Sequence, residues 1–186
     1  MPQPFLPMLG NYRKLVVFQI SECIYDITYY FAHKYLHGSD RTIDQMIQAA
    51  RSGKQNIAEG SSAATTSKET QIKLTNVAKA SLQELLLDYE DFLRVNGYEI
   101  WDKDSDMAIQ TRKVCAKHND SAYYREAIAV RKAETIANIA IVLIHQADVL
   151  LSGLIERQKS DFLRQGGVRE EMTRCRMEYR KKFPKQ

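Results

Sequence analysis

Hydrophobic side chains recur every three or four residues along most of this chain, and this spacing places them on one face of an α-helix. The recurrences predict four long helices, over residues 12–37, 40–59, 67–95 and 120–165. No segment shows the alternation of apolar and polar residues typical of a half-buried strand, so we expect an all-α protein. The first apolar face consists of Val16, Ile20, Ile24, Ile27, Phe31 and Tyr35. The last consists of Val130, Ile136, Ala140, Ile144, Ala147, Leu151 and Leu154.

Capping residues and glycines indicate where these helices begin and end. Gly60 is expected to end the second helix, as glycine does when it adopts a left-handed conformation. Thr66 and Glu69 have the spacing of a capping box, which predicts that the third helix starts there. Residues 98–119 have a weaker pattern, so we expect an irregular or short-helical insertion before the last long helix. The glycines at 166–167 predict a break at the end of that helix.

The positions of the prolines agree with long, uninterrupted helices. They occur at 2, 4, 7 and 184, so residues 8–183 contain none. Proline in a helix interior costs about 3 kcal/mol, and its absence permits an all-helical chain. A chain of 186 residues also fits one domain with a sizeable core. We therefore predict an antiparallel up-down four-helix bundle over residues 1–165, followed by a basic C-terminal helical extension over residues 166–186.

The cysteines and the most apolar segment indicate the cellular compartment in which we expect the protein. The three cysteines are widely separated and odd in number, which favours free thiols over a disulfide framework. Residues 1–14 lack the charged and apolar regions of a signal peptide. The most apolar stretch, residues 137–155, is interrupted by His145, Gln146 and Asp148, so we expect a core helix there and no membrane span. We expect a cytoplasmic protein.

The net charge of +4 is concentrated at one end of the chain. Residues 1–150 have 17 basic and 18 acidic side chains, whereas residues 151–186 have 10 basic and 5 acidic ones. Such a cluster of cations can contact phosphates, with an affinity that falls steeply as salt increases. A solvated basic helix without a ligand explains the same composition, because no nucleic-acid-binding motif accompanies it. The candidate contacts are Arg157, Lys159, Arg164, Arg169, Arg174, Arg176, Arg180, Lys181 and Lys182.

The basic tail also has an apolar side. Its members recur at helical spacing, and arginines lie beside them. We expect this stripe to pack against the bundle or against a neighbouring subunit, because it is too narrow for a helix lying on a membrane surface. The tail stripe consists of Val168, Met172, Cys175, Tyr179 and Phe183.

Residues 55–60 read QNIAEG at the predicted end of the second helix. Asn56 and Glu59 are three residues apart and therefore share one helical face. Carbonyl groups at a helix end lack intrahelical partners, and a carboxylate there is unfavourable for the helix dipole. We predict a buried or half-buried hydrogen-bonded joint between the second and third helices. A catalytic role is disfavoured, because one carboxylate without a nearby His, Cys or second acid is not a catalytic set.

Around this joint the sequence resembles a known family. The pattern is carried by RTIDQMIQAARSGKQNIAEG and by ASLQEL. It is similar to that of four-helix-bundle proteins encoded in intervening sequences of large-subunit ribosomal RNA, which include the accessory variability determinant of diversity-generating retroelements. The resemblance covers residues 12–95 and, weakly, the last long helix, and the tail resembles the subgroup with a C-terminal extension, the four-helix-bundle suffix. The residues of the motif are Arg41, Gln45, Asn56, Glu59, Gly60, Ser81 and Glu84.

The resemblance implies a bacterial all-α bundle that assembles into a ring-like homopentamer. It also implies nucleic-acid binding through basic surfaces and work with a reverse transcriptase, without enzymatic activity. We therefore expect a non-enzymatic, homo-oligomeric binding or scaffold protein for RNA, DNA or a nucleic-acid enzyme, with no small-molecule substrate. The alternative is a protein–protein adaptor that docks a partner through its C-terminal amphipathic helix and has no nucleic-acid role.

No residue pattern predicts a catalytic site, a metal site or a cofactor. Glu59 and Glu84 lack the Glu-x-x-His spacing of di-iron bundles. The acidic run 102–106 begins like a calcium loop but lacks the glycine and the glutamate that should follow. Cys115 and His118 offer two zinc ligands without a second pair at metal spacing. An enzyme of unrecognised type is the third alternative, and metal analysis of the purified protein tests it.

Overall fold

The computed structural model describes residues 11–38 and 41–183. Within these residues the chain is helical and contains no β-strand. A short 3-10 helix, Tyr12–Lys14, precedes the α-helices. The α-helices are α1 Val16–Tyr35, α2 Thr42–Ala63, α3 Lys68–Val95, α4 Asp106–Cys115, α5 Ser121–Ala129, α6 Ala133–Gln165 and α7 Val168–Lys182.

The long helices α1, α2, α3 and α6 enclose the core. α1 contacts α2 and α6, and α3 contacts the same two helices. The predicted face of α1 is buried from Ile20 to Phe31, whereas Val16, predicted to belong to it, is 49% exposed. The predicted face of α6 is buried from Ile136 to Leu151. α5 packs on α1, and α4 packs on α6. The largest fully buried side chains include Phe31, Met46, Leu82, Leu85, Tyr89, Leu93, Tyr124 and Ile136.

Hydrogen bonds between buried polar side chains join α3 to α1 and to α6. The Tyr89 hydroxyl of α3 donates to Oγ1 of Thr28 in α1 at 3.0 Å. Nε2 of Gln158 in α6 donates to Oγ1 of Thr75 in α3, also at 3.0 Å. Such buried hydrogen bonds fix the register of the helices that carry them, since any shift leaves buried groups unpaired. Oε1 of Gln158 is itself buried without a hydrogen-bond partner among the described residues.

The second helix passes through Gly60 and ends at Ala63, so the predicted stop at Gly60 is wrong. Positive φ values among the described residues occur at Gly97 and Gly166, not at Gly60. Gly60 is buried where α2 meets α3, and an added Cβ would lie 3.4 Å from the Gln71 carbonyl oxygen. Its small size serves a helix–helix contact rather than a helix end.

The third helix starts one residue later than the capping-box prediction. Ser67 is its N-cap, and the Thr70 backbone N–H donates to the Ser67 hydroxyl oxygen at 3.1 Å. The Thr66 hydroxyl instead donates to the Ala63 carbonyl at the end of α2. The predicted bounds of this helix, 67–95, agree with α3 within one residue.

The prediction of one helix over residues 120–165 is wrong, because the chain breaks between α5 and α6. Val130, expected in the core, is 87% exposed at this break. The Arg131 backbone N–H donates to the Ile128 carbonyl in a turn, and the Tyr35 hydroxyl donates to the Arg131 carbonyl. α1 thus holds the break in place.

The insertion does contain a short helix, α4, which Ser105 caps by accepting from the Ala108 N–H.

The run Ala133–Lys182 contains an 18-residue window with a mean hydropathy of 1.7, long and apolar enough to cross a membrane. Of that window, 56% is buried inside the structure. Burial between α1 and α3 accounts for the apolar character of α6, since a helix that is apolar on most sides can be the centre of a protein core.

Candidate binding surfaces

The tail helix α7 has no buried residue. It is set off from α6 by Gly166, whose φ of 75° is in the region that favours glycine. The Gly167 backbone N–H donates to the Glu170 carboxylate at 2.8 Å, which satisfies one free donor at the start of the helix. α7 is therefore a helix with most of its surface exposed to solvent.

The tail stripe does not pack against its own bundle. Met172 is 43% exposed, Tyr179 is 65% exposed and Phe183 is 61% exposed, whereas Val168 and Cys175 are half-buried. The expectation of packing against the same chain is wrong for these three side chains, because α7 leaves the bundle at the glycine pair instead of folding along it. Packing against a neighbouring subunit stays a prediction.

The cations predicted at the end of the chain are all exposed. Lys159 forms an ion pair with Glu156 one turn earlier, at 2.8 Å. Hydrogen bonds from its own backbone N–H and from Ser67 lower the pKa of Glu69, and the charge of Arg169 adds to this effect. The remaining cations face solvent. They are Arg157, Arg164, Arg174, Arg176, Arg180, Lys181 and Lys182.

Charges of opposite sign flank the tail stripe. At 100° per residue, Arg169, Arg176 and Arg180 fall on one side of the stripe. Glu171 and Glu178 fall on the other side, together with Lys182. The helix is therefore basic overall, with one cationic edge and one edge of mixed charge along its apolar side.

The QNIAEG joint involves Asn56 but not Glu59. Nδ2 of Asn56 donates to the Ser52 carbonyl at 2.8 Å and lies 3.1 Å from the Ser52 hydroxyl. That hydroxyl lies 3.0 Å from the Ser81 hydroxyl of α3, which completes the link between the two helices. Glu59 is exposed, so the prediction that it is a buried partner is wrong. Arg41 is also exposed, at the N-cap of α2, and its side chain makes no capping hydrogen bond.

Other motif residues line a shallow depression between α2 and α3. Gln45 and Glu84 are exposed there, and Ser81 forms part of its floor. Burial raises the pKa of Asp88, and the neighbouring carboxylates of Asp91 and Glu84 raise it further. The depression is acidic, since it is lined by the carboxylates of Asp44, Glu84 and Asp88 as well as by Ser52 and Ser81.

An apolar groove that no sequence pattern predicted lies over α6. The groove has a volume of about 460 Å³ and lies between the end of α3, the link before α4, and α4 itself. Its apolar surface includes Ile100, Trp101, Val142, Val149 and Leu150. We call this depression the α6 groove. Its volume lies in the range typical of binding pockets.

Asn138 fixes the link that forms one side of the α6 groove. Its side-chain oxygen accepts from the Trp101 backbone N–H at 2.8 Å. Its Nδ2 donates to the Glu99 carbonyl at 2.9 Å and to the Glu134 carbonyl at 3.0 Å. Asn138 is buried in α6, so these bonds hold an otherwise irregular segment against the core. A lone Asn in an apolar run was the only sequence signal for this role.

A second surface that the sequence reasoning missed lies between α1 and α5. Tyr25, Tyr29 and His33 follow each other at helical spacing, and the rings of Tyr29 and His33 are 4.3 Å apart. Arg125 pairs with Asp26 at 3.6 Å, and the Lys54 ammonium lies 4.3 Å from the centre of the Tyr25 ring. Tyrosine and arginine are enriched at protein interfaces.

The cysteines and histidines do not form a reactive set. Burial raises the pKa of Cys23 to about 12 and also raises the pKa of Cys115. The ring of His118 stacks on that of Tyr123, with centroids 3.8 Å apart. Among the described residues, no group of three His, Cys, Asp or Glu side chains is placed to hold a metal ion.

The described residues define an all-helical protein that presents a basic amphipathic helix beyond its core. Comparison of the chain with protein-family models, with curated proteins and with solved structures gives no match.

Proposed function

We propose that this chain is a non-enzymatic, self-associating binding or scaffold protein that binds nucleic acid through α7 and the end of α6. We further propose that α1, α2, α3 and α6 form an antiparallel up-down four-helix bundle. The support for the bundle is that α1 and α3 each contact both α2 and α6. Short links join α1 to α2 and α2 to α3, whereas residues 96–132, with α4 and α5, join α3 to α6. The motif around Asn56 favours the family of ribosomal RNA intervening-sequence proteins, with its cytoplasmic homopentamer and reverse-transcriptase partner.

The exposure of the cations on α7 is the observation that carries the nucleic-acid proposal. Six basic side chains stand on a helix with three acidic ones, and none of them is buried. Cations that already served the fold would be paired or half-buried, whereas these extend the positive surface of Arg157 and Arg164 at the end of α6. Phosphate backbones are bound by such exposed Lys and Arg side chains.

Self-association has separate support from the apolar and aromatic surfaces. Met172, Tyr179 and Phe183 are exposed on α7, and Val149 is exposed in the α6 groove. Contiguous exposed apolar surface marks interaction sites in soluble proteins, and Met172, Tyr179 and Phe183 recur at helical spacing along the tail. The tyrosine-rich face between α1 and α5 adds a third surface of interface-like composition.

The nucleic-acid proposal is tested by titrating fluorescent single-stranded RNA and duplex DNA with the full chain at several salt concentrations. Reversing the charge of Arg169, Arg176 and Arg180 to Glu should raise the Kd at least about tenfold and lower the salt slope by about 2 to 3. The control reverses three exposed lysines elsewhere and changes the net charge equally. The control lysines are Lys73, Lys113 and Lys117.

Equal losses in the two triple variants would mean that only net charge matters and that α7 is not the binding surface. Binding that does not change with salt in the wild-type chain would remove the nucleic-acid proposal altogether.

The exposed tail stripe favours one alternative, an adaptor that docks a protein partner through α7. Replacing Met172 and Tyr179 with Asn should then abolish partner binding in a pull-down. Nucleic-acid affinity should be absent in the wild-type chain under this alternative, which separates it from the main proposal.

A further inference from the structure

We infer that a cavity between α4, α5 and the start of α6 is a binding site for a small aromatic carboxylate. The cavity has a volume of about 280 Å³. The inference goes beyond the proposed function and does not depend on nucleic-acid binding or on self-association.

The cavity lies where two short helices pack on different partners. α4 packs on α6, whereas α5 packs on α1. The space between them is lined by side chains of both short helices, by Trp101 in the link before α4, and by Thr135 and Ile139 of α6. Its volume lies near the lower limit for pockets that bind small molecules, so we expect a ligand with a single ring.

Hydrogen bonds hold two sides of the cavity in place. The Trp101 backbone N–H donates to Oδ1 of Asn138 in α6 at 2.8 Å. The Tyr35 hydroxyl of α1 donates to the Arg131 carbonyl at 2.9 Å, at the break between α5 and α6. Both bonds join residues far apart in the sequence, so a ligand does not have to order these segments when it binds.

The cavity is apolar at its inner end and polar at its mouth. Met107, Gln110 and Arg131 are exposed, so they lie where the cavity opens to solvent. The rings of Trp101 and Tyr123 are half-buried and give the wall an aromatic surface. A ligand ring gains from burial against such a surface and from favourable ring–ring geometry. The buried residues of the lining are Cys115, Tyr124, Ile128 and Ile139.

Among the described residues that line the cavity, Arg131 alone is charged. Its Nη1 donates to the Ala127 carbonyl, which holds the guanidinium beside the cavity. No ion pair within the described part of the chain includes Arg131, whereas Arg125 of α5 pairs with Asp26 at 3.6 Å. The charge at the mouth of the cavity is therefore not compensated by a described carboxylate.

These groups select the class of ligand. Guanidinium donors match the two oxygens of a carboxylate, and such charge-assisted hydrogen bonds are stronger than neutral ones. A single guanidinium balances one negative charge, which favours a carboxylate over a phosphate. An amine would meet the charge of Arg131 without a counter-charge. A ring at the apolar inner end and an anion on Arg131 together describe a small aromatic carboxylate.

The test titrates the full chain with 3-phenylpropionate and with the matched amide, 3-phenylpropanamide. The fluorescence of Trp101, the single Trp of the chain, reports binding. Thermal unfolding is a second readout, because a ligand that binds the folded state raises the melting temperature. At neutral pH the acid should bind with a Kd of about 1 mM or lower, and the amide at least about tenfold more weakly.

Arg131→Gln should weaken binding of the acid at least about tenfold and leave binding of the amide unchanged, since it removes a charge-assisted hydrogen bond. Its control is Lys132→Gln, which makes the same change of charge at an exposed neighbour outside the cavity lining. This control should affect neither probe.

Trp101 also lines the α6 groove, so a second pair of variants locates the ligand. Ala127→Leu reduces the volume of the cavity and should weaken binding of both probes at least about tenfold. Ala116→Leu adds the same atoms to the lining of the α6 groove and should change neither affinity. Circular dichroism checks that all four variants stay helical.

The inference would be overturned if about 10 mM acid changed neither the fluorescence nor the melting temperature. Equal affinities for the acid and the amide, or acid binding that survives Arg131→Gln, would also overturn it, since the cavity would then not select carboxylates. Binding that is lost in Ala116→Leu but not in Ala127→Leu would place the ligand in the α6 groove and contradict the inference. The salt-dependent binding assay judges the nucleic-acid proposal separately.

Discussion

Asn138 shows how one buried amide can position a segment that has no regular structure of its own. Its side-chain oxygen accepts from the Trp101 N–H, and its Nδ2 donates to two backbone carbonyls, so both polar atoms of the amide are hydrogen-bonded. Such a side chain cannot be replaced by an apolar one without leaving backbone groups of the link unpaired.

Asn138→Ala should therefore destabilise the protein by about 1–3 kcal/mol, the cost of unpaired polar groups. Because the chain has a single Trp, the fluorescence of Trp101 should shift as the link detaches, before global unfolding in a urea titration. Asn76→Ala is the matched control, since Asn76 is exposed and bonds only within α3. It should change stability by less than about 0.5 kcal/mol. Equal effects of the two changes would contradict the role given to Asn138.

The three thiols differ in exposure, which predicts their reactivity. Cys23 and Cys115 are buried with raised pKa values, whereas Cys175 lies half-exposed on the tail stripe. The thiolate is the reactive form, so a disulfide reagent at pH 8 should modify one thiol per native chain and three after denaturation. Cys175→Ala should remove the native reaction. A second fast-reacting thiol in that variant would show that the core opens around α1 or α4.

The contact between α2 and α3 depends on small residues at particular turns. Gly53 is buried, and a Cβ added there would lie 2.7 Å from Cδ2 of Leu82, which is itself buried. Ser52, Asn56 and Ser81 form the polar part of the same contact. The close approach of the two helices explains why a glycine occupies the middle of α2 despite its low helix propensity.

Gly53→Ala should destabilise the chain by about 1–2 kcal/mol in urea unfolding, because the strain against Leu82 exceeds the gain in helix propensity. Gly153→Ala is the matched control. Gly153 lies in the interior of α6, and nothing lies within 4 Å of an added Cβ. This control should stabilise the chain by about 0.5–1 kcal/mol. Stabilisation by both changes would show that Leu82 moves aside at little cost.

The core as a whole contains buried groups that must stay protonated. Burial raises the pKa values of Cys23, Cys115, Tyr89 and Tyr124 above their ordinary values. A raised pKa means that the folded state holds the proton more tightly than the unfolded state. The associated stability is complete below the ordinary pKa and is lost as the pH rises towards the folded-state value.

The melting temperature should therefore fall as the pH rises from 9.0, the ordinary pKa of Cys23, to about 12, its value in the folded protein. Cys23→Ala should make this decline shallower, because it removes one of the groups that titrate. Cys175→Ala should leave the slope unchanged, since that thiol lies outside the core. Identical slopes in the two variants would show that Cys23 is not protected in the folded state.

The helical class and most of the core faces followed from the sequence, because they depend on neighbours within one or two turns. The spacing of Ile20, Ile24 and Ile27 already places them on one side of any helix, and all three are buried. The bounds of α3 were predicted within one residue, although Ser67 and not Thr66 is its N-cap.

Only the tertiary structure decided what each helix faces. Gly60 can serve a helix end or a close contact, and the proximity of α3 selects the contact. Asn56 and Glu59 share a helical face, yet Asn56 is half-buried and bonds Ser52, whose hydroxyl meets Ser81 of α3, whereas Glu59 is exposed. The α6 groove arises because Asn138 holds a distant segment in place. Local periodicity sets which residues lie together on a helix, whereas exposure depends on contacts between helices far apart in the sequence.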